Sequence, residues 1–308
     1  MKNCGSQVLY ISIDGIMEPL GYSQVLKYLE RLSRDHAINL ISFEKKDDLK
    51  NLVHLNAITK KCNDHNICWY RLKYRSGFCG LGKLVNIINL IFAPIYIFFK
   101  KKIYLVHIRS YMPGIVIPVL KALFEFKLIF DMRGFWVDEK HDRLGWSKKS
   151  FKYRFFKQLE CYLLNTSDHI VTLTNSSKNI IAKRFNITPT SIQVIPTCVD
   201  FHEFRRVENL STNRSLTIGY LGSVDTAYDF PKFCILISQM QSYLDQTIIL
   251  KVLTSQSHAH VARLIPQQVL SKLLLEVKFV DRAKLSEEIS SFDFLGFYLK
   301  ENFSINAS

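Results

Sequence analysis

The sequence predicts an α/β protein whose parallel strands alternate with helices along the whole chain. Short apolar runs bounded by polar residues recur along it, as expected for strands that are buried on both faces of a sheet. Segments with apolar residues at helical spacing separate these runs, and this alternation is typical of a parallel sheet. With 308 residues, of which 48% are hydrophobic and 22% charged, the chain has a globular composition and is long enough for two domains.

The first half of the chain contains most of these elements. Strands are predicted at residues 8–13, 38–43, 67–72, 104–108, 127–131, 169–173 and 191–195. Helices are predicted at 47–60 and 176–185, and others begin at Ser23 as N-cap, near Pro113 and near Lys148. The loop at 14–22 therefore joins a strand to a helix N-terminus, an order that suits anion binding, although it lacks the GxGxxG pattern.

Residues 127–139, KLIFDMRGFWVDE, concentrate charge directly after a buried strand. The charged residues that follow the strand interior are Asp131, Arg133, Asp138 and Glu139. Ligands of open α/β sheets bind at the carboxyl ends of the strands, which is where we expect these side chains, and we predict a loop at 136–146. A functional loop and a solvated loop whose aromatic residues pack onto the core both fit this composition. His107 and Arg109 form a second polar group at a strand's carboxyl end.

The net charge of +14 and the isoelectric point near 9.4 predict an anionic partner. Charge alone leaves a nucleic acid, an anionic membrane and a phosphorylated substrate open as partners, but no nucleic-acid motif accompanies it, so we expect no nucleic-acid partner.

The seven cysteines are an odd number without regular spacing, which predicts reduced thiols and a cytoplasmic protein. Cys62, His65 and Cys68 lack a second pair at zinc-site spacing, so we predict no metal site.

Residues 84–99 form the most apolar segment, and lysines flank it on both sides. It is shorter than the roughly 20 apolar residues of a spanning helix, and Asn86, Asn89 and Pro94 interrupt it. A helix in the interface of an anionic membrane and a buried crossover helix are both consistent with the segment.

Residues 203–215 are polar and break the periodicity, which predicts a domain boundary. We expect an N-terminal domain at 1–205, a linker at 206–215 and a partial C-terminal domain at 216–308. Strands of the second domain are predicted at 216–221, 247–254, 277–280 and 294–299, with a loop at 222–229 and a helix from Pro231.

Seven segments, in order, resemble family 4 of the glycosyltransferases, which are retaining, nucleotide-sugar-dependent enzymes with the GT-B fold. They are YISIDGIMEPLGYSQVLKYLERLS (10–33), VHIRSYMPG (106–114), IFDMRGFWVDE (129–139), IVTLTNSSK (170–178), VIPTCVDFHEF (194–204), IGYLGSVDTAYDF (218–230) and FDFLGFYLKENFSINAS (292–308). The resemblance implies two Rossmann-like domains that face each other across a cleft, the first holding the acceptor and the second the nucleotide sugar. It also implies catalysis without a bound metal or other cofactor.

The resemblance assigns roles to individual residues. Arg109 and Arg133 are the catalytic candidates. The acceptor-binding candidates are Gly15, Gly21, Ser23, His107, Asp131, Asp138 and Glu139. The donor-binding candidates are Gly222, Ser223, Lys232 and Arg282. The expected partners are a nucleotide-sugar donor, a glycan or lipid-linked acceptor and an anionic membrane, with the protein at the inner face of the cytoplasmic membrane.

Two departures from the family's pattern affect donor binding. The loop GSVDTAYDFPK carries no Arg and only Lys232, whereas relatives have a basic pair there, and the chain ends before the family's Glu-bearing segment. We therefore expect a C-terminally truncated member that transfers sugar poorly or not at all. The alternative function is that of a non-catalytic remnant that binds acceptor or membrane.

Overall fold

The computed structural model describes residues 7–76, 81–201, 203–204, 215–225, 228–244 and 246–304. The chain divides into two compact units, Met1–Cys198 and Val199–Ile305. The division falls a few residues before the predicted boundary, and the predicted linker, apart from Ser215, lies outside the described residues.

The first unit contains a seven-stranded sheet in which all neighbouring strands are parallel. In chain order its strands are β1 (Gln7–Ser12), β2 (Ala37–Glu44), β3 (Cys68–Lys73), β4 (Leu105–Arg109), β5 (Lys127–Asp131), β6 (His169–Thr172) and β7 (Ile192–Val194). Their order across the sheet is β3-β2-β1-β4-β5-β6-β7, so the chain reverses direction across the sheet between β3 and β4. All seven strands were predicted, with ends shifted by one residue at most.

Helices connect the strands of the first unit. They are α1 (Pro19–Gly21), α2 (Lys27–Leu32), α3 (Leu52–Asp64), α4 (Leu81–Lys100), α5 (Ile117–Leu120), α6 (Trp136–Leu144), α7 (Phe151–Thr166) and α8 (Asn175–Phe185). A π-helical turn, Tyr22–Leu26, joins α1 to α2, and short 3₁₀ turns precede α3, α5 and β7.

The sheet is covered on both faces. Along β1, Leu9 and Ile11 belong to one buried apolar cluster, whereas Val8 and Tyr10 belong to another. Successive strand residues point to opposite faces, so two separate clusters mean that each face has its own core. This explains why the strands appear in the sequence as continuous apolar runs.

Two local predictions were wrong. Ser23 does not cap a helix but lies inside the π-helical turn, where its hydroxyl donates to the carbonyls of Pro19 and Leu20. Most of the loop predicted at 136–146 is the helix α6, which Gly145 ends in the left-handed conformation, φ 65°. The charged residues of this segment had suggested a loop, but Val137 and Asp138 are buried by tertiary packing.

The second unit has a four-stranded parallel sheet with the order β10-β9-β8-β11. Its strands are β8 (Leu216–Leu221), β9 (Ile248–Leu253), β10 (Leu274–Lys278) and β11 (Phe294–Leu295), and its helices are α9 (Phe230–Leu244), α10 (His258–Leu264), α11 (Gln267–Leu270) and α12 (Arg282–Ser290). β10 begins earlier than predicted and β11 is only two residues long. Both strands lie at edges of the sheet. An edge strand has fewer neighbours, so its apolar sequence pattern is less clearly defined.

Candidate functional site

Polar residues from three strands meet at one edge of the first sheet. In the strand register, Arg109 at the end of β4 lies between Ser12 of β1 and Asp131 of β5. Asp14 follows β1 by two residues, and Arg133 follows β5 by two. Parallel strands end at the same edge, so these side chains converge there. The sequence predicted this position for Arg109, Asp131 and Arg133 but not for Asp14.

Arg109 is the centre of this cluster and is almost completely buried, with 3% of the residue exposed. Its Nε lies 3.3 Å from Asp14 Oδ2, and its Nη1 lies 3.4 Å from Asp131 Oδ2. Its Nη2 donates to Gln24 Oε1 at 2.6 Å. All three nitrogen atoms of the guanidinium thus have a polar partner from a neighbouring element, as a buried charge requires.

Arg133 shares two partners, Gln24 and Asp131, with Arg109. Its Nη2 donates to Gln24 Oε1 at 2.9 Å and to Thr197 Oγ1 at 3.1 Å. Its Nη1 is 3.9 Å from Asp131 Oδ1. Burial, followed by the positive charge of Arg109, lowers the pKa of Arg133. Gln24 therefore holds two guanidinium groups side by side, an arrangement suited to binding an anion or oxygen-rich ligand.

Asp131 and His107 occupy the buried side of the cluster. Burial raises the pKa of Asp131 despite the nearby Arg133 and Arg109, and none of the described residues donates a hydrogen bond to its Oδ1. Burial, helped by the charge of Arg109, lowers the pKa of His107 to about 3, so this imidazole is neutral at physiological pH. The His107 ring packs on Tyr10 with centroids 4.5 Å apart, and its Nε2 has no hydrogen-bond partner within the part of the chain that the structure describes.

The backbone is strained directly after Arg109. Ser110 has φ 66°, a left-handed conformation that few residues other than Gly adopt, while its N–H donates to the Asp131 carbonyl at 3.0 Å. Strain of this kind commonly accompanies functional sites and costs of order 1–3 kcal/mol.

Gly15 and Gly21 are buried and pack against each other. A Cβ on Gly21 would lie 2.0 Å from the Gly15 carbonyl oxygen, and one on Gly15 would lie 2.5 Å from Glu44 Oε2. The buried Glu44 carboxylate accepts the N–H groups of Ile16 and Met17 at 3.0 and 3.1 Å. The two glycines thus allow the loop to fold over Glu44, and their acceptor-binding role stays a prediction.

Asp138 belongs to a different buried network. Its carboxylate accepts from Tyr153 at 2.8 Å, from Lys157 at 2.7 Å and from Arg184 at 3.4 Å. The neighbouring Glu139 is half-buried, and burial raises its pKa. The structure therefore gives Asp138 partners on α7 and α8 instead of bringing it to the Arg109 cluster, which favours a structural role for it.

The donor-binding candidates of the second unit are not gathered at one point. Gly222 and Ser223 follow β8. Gly222 has φ 126°, and no atom of the described residues lies within 4 Å of the place where a Cβ would stand. Lys232 lies in the first turn of α9, 3.9 Å from Asp229 Oδ2. Arg282 begins α12, beyond the edge strand β10, and its Nη2 donates to Glu203 Oε2 at 2.8 Å.

The carboxyl ends of β8 and β9 carry a polar cluster that sequence reasoning missed. Asp225 bonds to His260 Nε2 at 2.9 Å and also contacts the Gln256 amide, while Arg263 lies 3.0 Å from His260 Nδ1.

The sequence analysis also missed three residues of the Arg109 cluster in the first unit, Gln24, Asp14 and Thr197. Asp14 could have been found by the strand-end rule that identified Arg109 and Asp131. Gln24 and Thr197 carry no such signal, because the fold brings them from a helical turn and from the segment after β7.

Within the residues that the structure describes, no group of three or more His, Cys, Asp or Glu side chains is arranged to hold a metal ion. The Cys62, His65 and Cys68 trio does not form such a group. Cys62 is buried, and burial raises the pKa of its thiol to about 12.

The parallel α/β architecture is that of the GT-B glycosyltransferases, as solved structures show. A glycosyltransferase from Rickettsia africae has a TM-score of 0.59 at 15% identity, with 94% of this chain and 72% of that chain covered. Sucrose-phosphate synthase from Thermosynechococcus elongatus has a TM-score of 0.64 at 13% identity over 94% and 74%. HepE from Anabaena, in complex with UDP and glucose, has a TM-score of 0.57 at 12% identity over 94% and 73%.

The sequence comparison identifies the family. The model of Glycosyltransferase Family 4 matches residues 24–203, which is more than half of the chain, so the protein belongs to Glycosyltransferase Family 4. No curated protein matches the chain.

Proposed function

We propose that this protein transfers a sugar from a nucleotide-sugar donor to a polysaccharide or lipid-linked glycan precursor, with retention of configuration and without a metal ion. Membership of the family supports sugar transfer in general. HepE, one of the structural neighbours, binds UDP and glucose, which supports a nucleoside diphosphate sugar as donor.

The observation that carries the proposal is the Arg109 cluster at the carboxyl edge of the first sheet. Arg109 and Arg133 are held by Gln24, while Asp14 keeps its carboxylate 46% exposed next to Arg109. An exposed carboxylate can accept hydrogen bonds from acceptor hydroxyls, and fixed guanidinium groups stabilise negative charge where it develops. Both groups are positioned before any ligand binds.

The transfer proceeds by front-face attack. The acceptor hydroxyl oxygen forms its bond to the anomeric carbon while the bond from that carbon to the diphosphate breaks. The hydroxyl proton passes to the departing diphosphate, and the negative charge that remains there is the charge that protein cations and helix N-termini stabilise. On the donor side, the open backbone at Gly222 would let a diphosphate approach the chain closely.

A non-catalytic binding function is the second candidate, and the second unit favours it. Asp225 places a carboxylate in the loop after β8, where it contacts His260, and Arg282 is engaged by Glu203. An acidic loop disfavours a diphosphate, so donor affinity in the described residues is expected to be low. Each hydrogen-bond donor that is missing from the site of the departing diphosphate typically costs about 2.7–4 kcal/mol of transition-state stabilisation.

The test is calorimetric titration of the purified chain with UDP- and GDP-sugars, together with donor hydrolysis assays in EDTA. We expect metal-independent donor hydrolysis, reduced at least about 100-fold by Arg133→Gln. Arg143→Gln changes an exposed arginine on α6 and serves as the matched control. The absence of turnover would refute the proposed transfer, and weak or absent donor binding in the same titrations would then support the non-catalytic function.

A further inference from the structure

The helix α4 presents apolar residues on two opposite faces. Its buried residues form an inner stripe, Gly82, Asn86, Leu90, Pro94 and Ile97. Its exposed large apolar residues form an outer stripe, Leu81, Leu84, Ile88, Phe92, Tyr96 and Phe99. The outer positions are offset from the inner ones by about two residues, or about 200° of helix rotation, so the two stripes face opposite directions.

The outer stripe is long and strongly exposed. Its ends are eighteen residues apart, which is about 27 Å along a helix. Phe92 and Phe99 are 64% and 79% exposed. Phe99 packs edge-on against Phe124, and Leu123 beside it is 73% exposed, so the apolar surface continues from α4 onto the segment after α5. An exposed apolar surface of this extent marks an interaction site.

Positive charge flanks the outer stripe at both ends. Lys83 lies near its first turn, and Lys100 and Lys102 follow its last turn, all three exposed. Residues 81–104 contain no Asp or Glu. Near the start of α4 a depression of 310 Å³ is lined by further cations, Lys46, Lys73 and Arg75, together with Leu81 and Gly82. Lys101 differs from its neighbours because its Nζ turns inward to Asn39 Oδ1 at 2.7 Å.

We propose that the outer stripe of α4 and its flanking lysines dock the protein onto the surface of an anionic lipid bilayer, with the helix lying in the interface plane. Apolar side chains would enter the boundary of the acyl region, while the lysines bind lipid phosphates and Tyr96, under Lys100 at 4.8 Å, lies at the headgroup level. The inference concerns a surface of the first unit and is independent of sugar transfer.

The same geometry argues against the helix spanning the bilayer. The helix α4 is 20 residues long and, by length and composition alone, apolar enough to cross a membrane, but 28% of its most apolar window is buried inside the protein. Leu90 and Ile97 belong to the main core cluster of the first unit. Asn86 exchanges two hydrogen bonds of 3.0 Å with the backbone of Arg75. If α4 crossed the bilayer, the residues of its inner stripe would have to leave the core of the first unit.

Charge also distinguishes between two candidate partners of the outer stripe, a lipid surface and a second copy of the chain. Two copies that met through this stripe would bring their lysines together, in a protein of net charge +14. An anionic surface pairs with the same lysines favourably, so the charges select a lipid partner.

Flotation with vesicles tests the proposal. The full chain should bind vesicles of 70% phosphatidylcholine and 30% phosphatidylserine in low salt, bind pure phosphatidylcholine at least tenfold more weakly, and dissociate in 1 M NaCl. The triple variant Lys83→Gln, Lys100→Gln, Lys102→Gln should weaken binding at least tenfold, since each lysine contributes about fivefold. Its matched control changes Lys60, Lys183 and Lys272, which are exposed on other parts of the chain, to Gln.

A second set of variants tests how much the apolar side chains of the outer stripe contribute to vesicle binding. Phe92→Ser with Phe99→Ser should weaken binding at least tenfold, whereas Phe151→Ser with Tyr243→Ser, which are 85% and 90% exposed elsewhere, should not. Equal effects of test and control variants would overturn the proposal. So would retention on membranes after salt and alkaline carbonate, which indicates insertion, or a concentration-dependent dimer in solution that the Phe92 and Phe99 changes abolish.

Discussion

His107 is the clearest case in which a single residue's environment sets a measurable property. The imidazole is buried beside Tyr10, and burial lowers its pKa from 6.5 to about 3. Between these values the unfolded chain binds more protons than the folded one, so the stability that His107 contributes is complete above pH 6.5 and is lost as the pH falls toward 3.

We expect the wild-type protein to lose about 2 kcal/mol more free energy of unfolding than His107→Leu when the pH falls from 7 to 5. Leu is close to His in volume and cannot be protonated, so the comparison isolates the imidazole. Urea denaturation at both pH values measures the difference. If both proteins show the same pH dependence, His107 is not held neutral by burial.

The glycines illustrate a limit of sequence reasoning at this scale. Gly15 and Gly21 suggested a loop open to an anionic ligand, yet each leaves no room for a Cβ because backbone or Glu44 lies in its place. A requirement for close packing and a requirement for ligand access both select Gly. Only the tertiary contact distinguishes them.

At the scale of elements, a buried ionic network joins α6, α7 and α8. Lys157 of α7 donates to Asp138 of α6 at 2.7 Å and to Glu160 at 2.5 Å. Glu160 is completely buried, and burial, opposed by Lys157, raises its pKa. Arg184 of α8 and the hydroxyl of Tyr111 complete the network.

Lys157→Met should destabilise the protein by about 3–5 kcal/mol, because it leaves two carboxylates buried without their shared cation. Lys152→Met, on the same helix but exposed and stacked on Trp146, is the control and should cost less than about 1 kcal/mol. Thermal denaturation of both variants measures the effect. Similar losses in the two variants would contradict the role given to the network.

At the scale of the whole molecule, the two compact units each have their own apolar core. The two core clusters of the first sheet contain only residues before 198, and the cluster of the second sheet contains only residues after 199. Independent cores are the property that lets a domain fold alone.

We therefore predict that the fragment 1–198 folds by itself. It should show the circular dichroism of an α/β protein, unfold cooperatively in urea and bind the same anionic vesicles as the full chain. Since its seven strands and their helices all lie before residue 198, its midpoint should remain close to that of the transition in which the first unit unfolds in the full chain. A fragment that is expressed in soluble form but unfolds without cooperativity would refute the prediction.

The sequence by itself determined the alternation of strands and helices, the parallel sheet and the edge at which Arg109, Asp131 and Arg133 meet. These features are local, because strands buried on both faces need apolar runs and parallel strands end together. The tertiary structure alone decided that Gln24 joins the two arginines, that Asp138 is part of a separate buried network and that α4 turns one apolar stripe outward. Each of these depends on contacts between residues far apart in the chain, for which spacing along the sequence carries no signal.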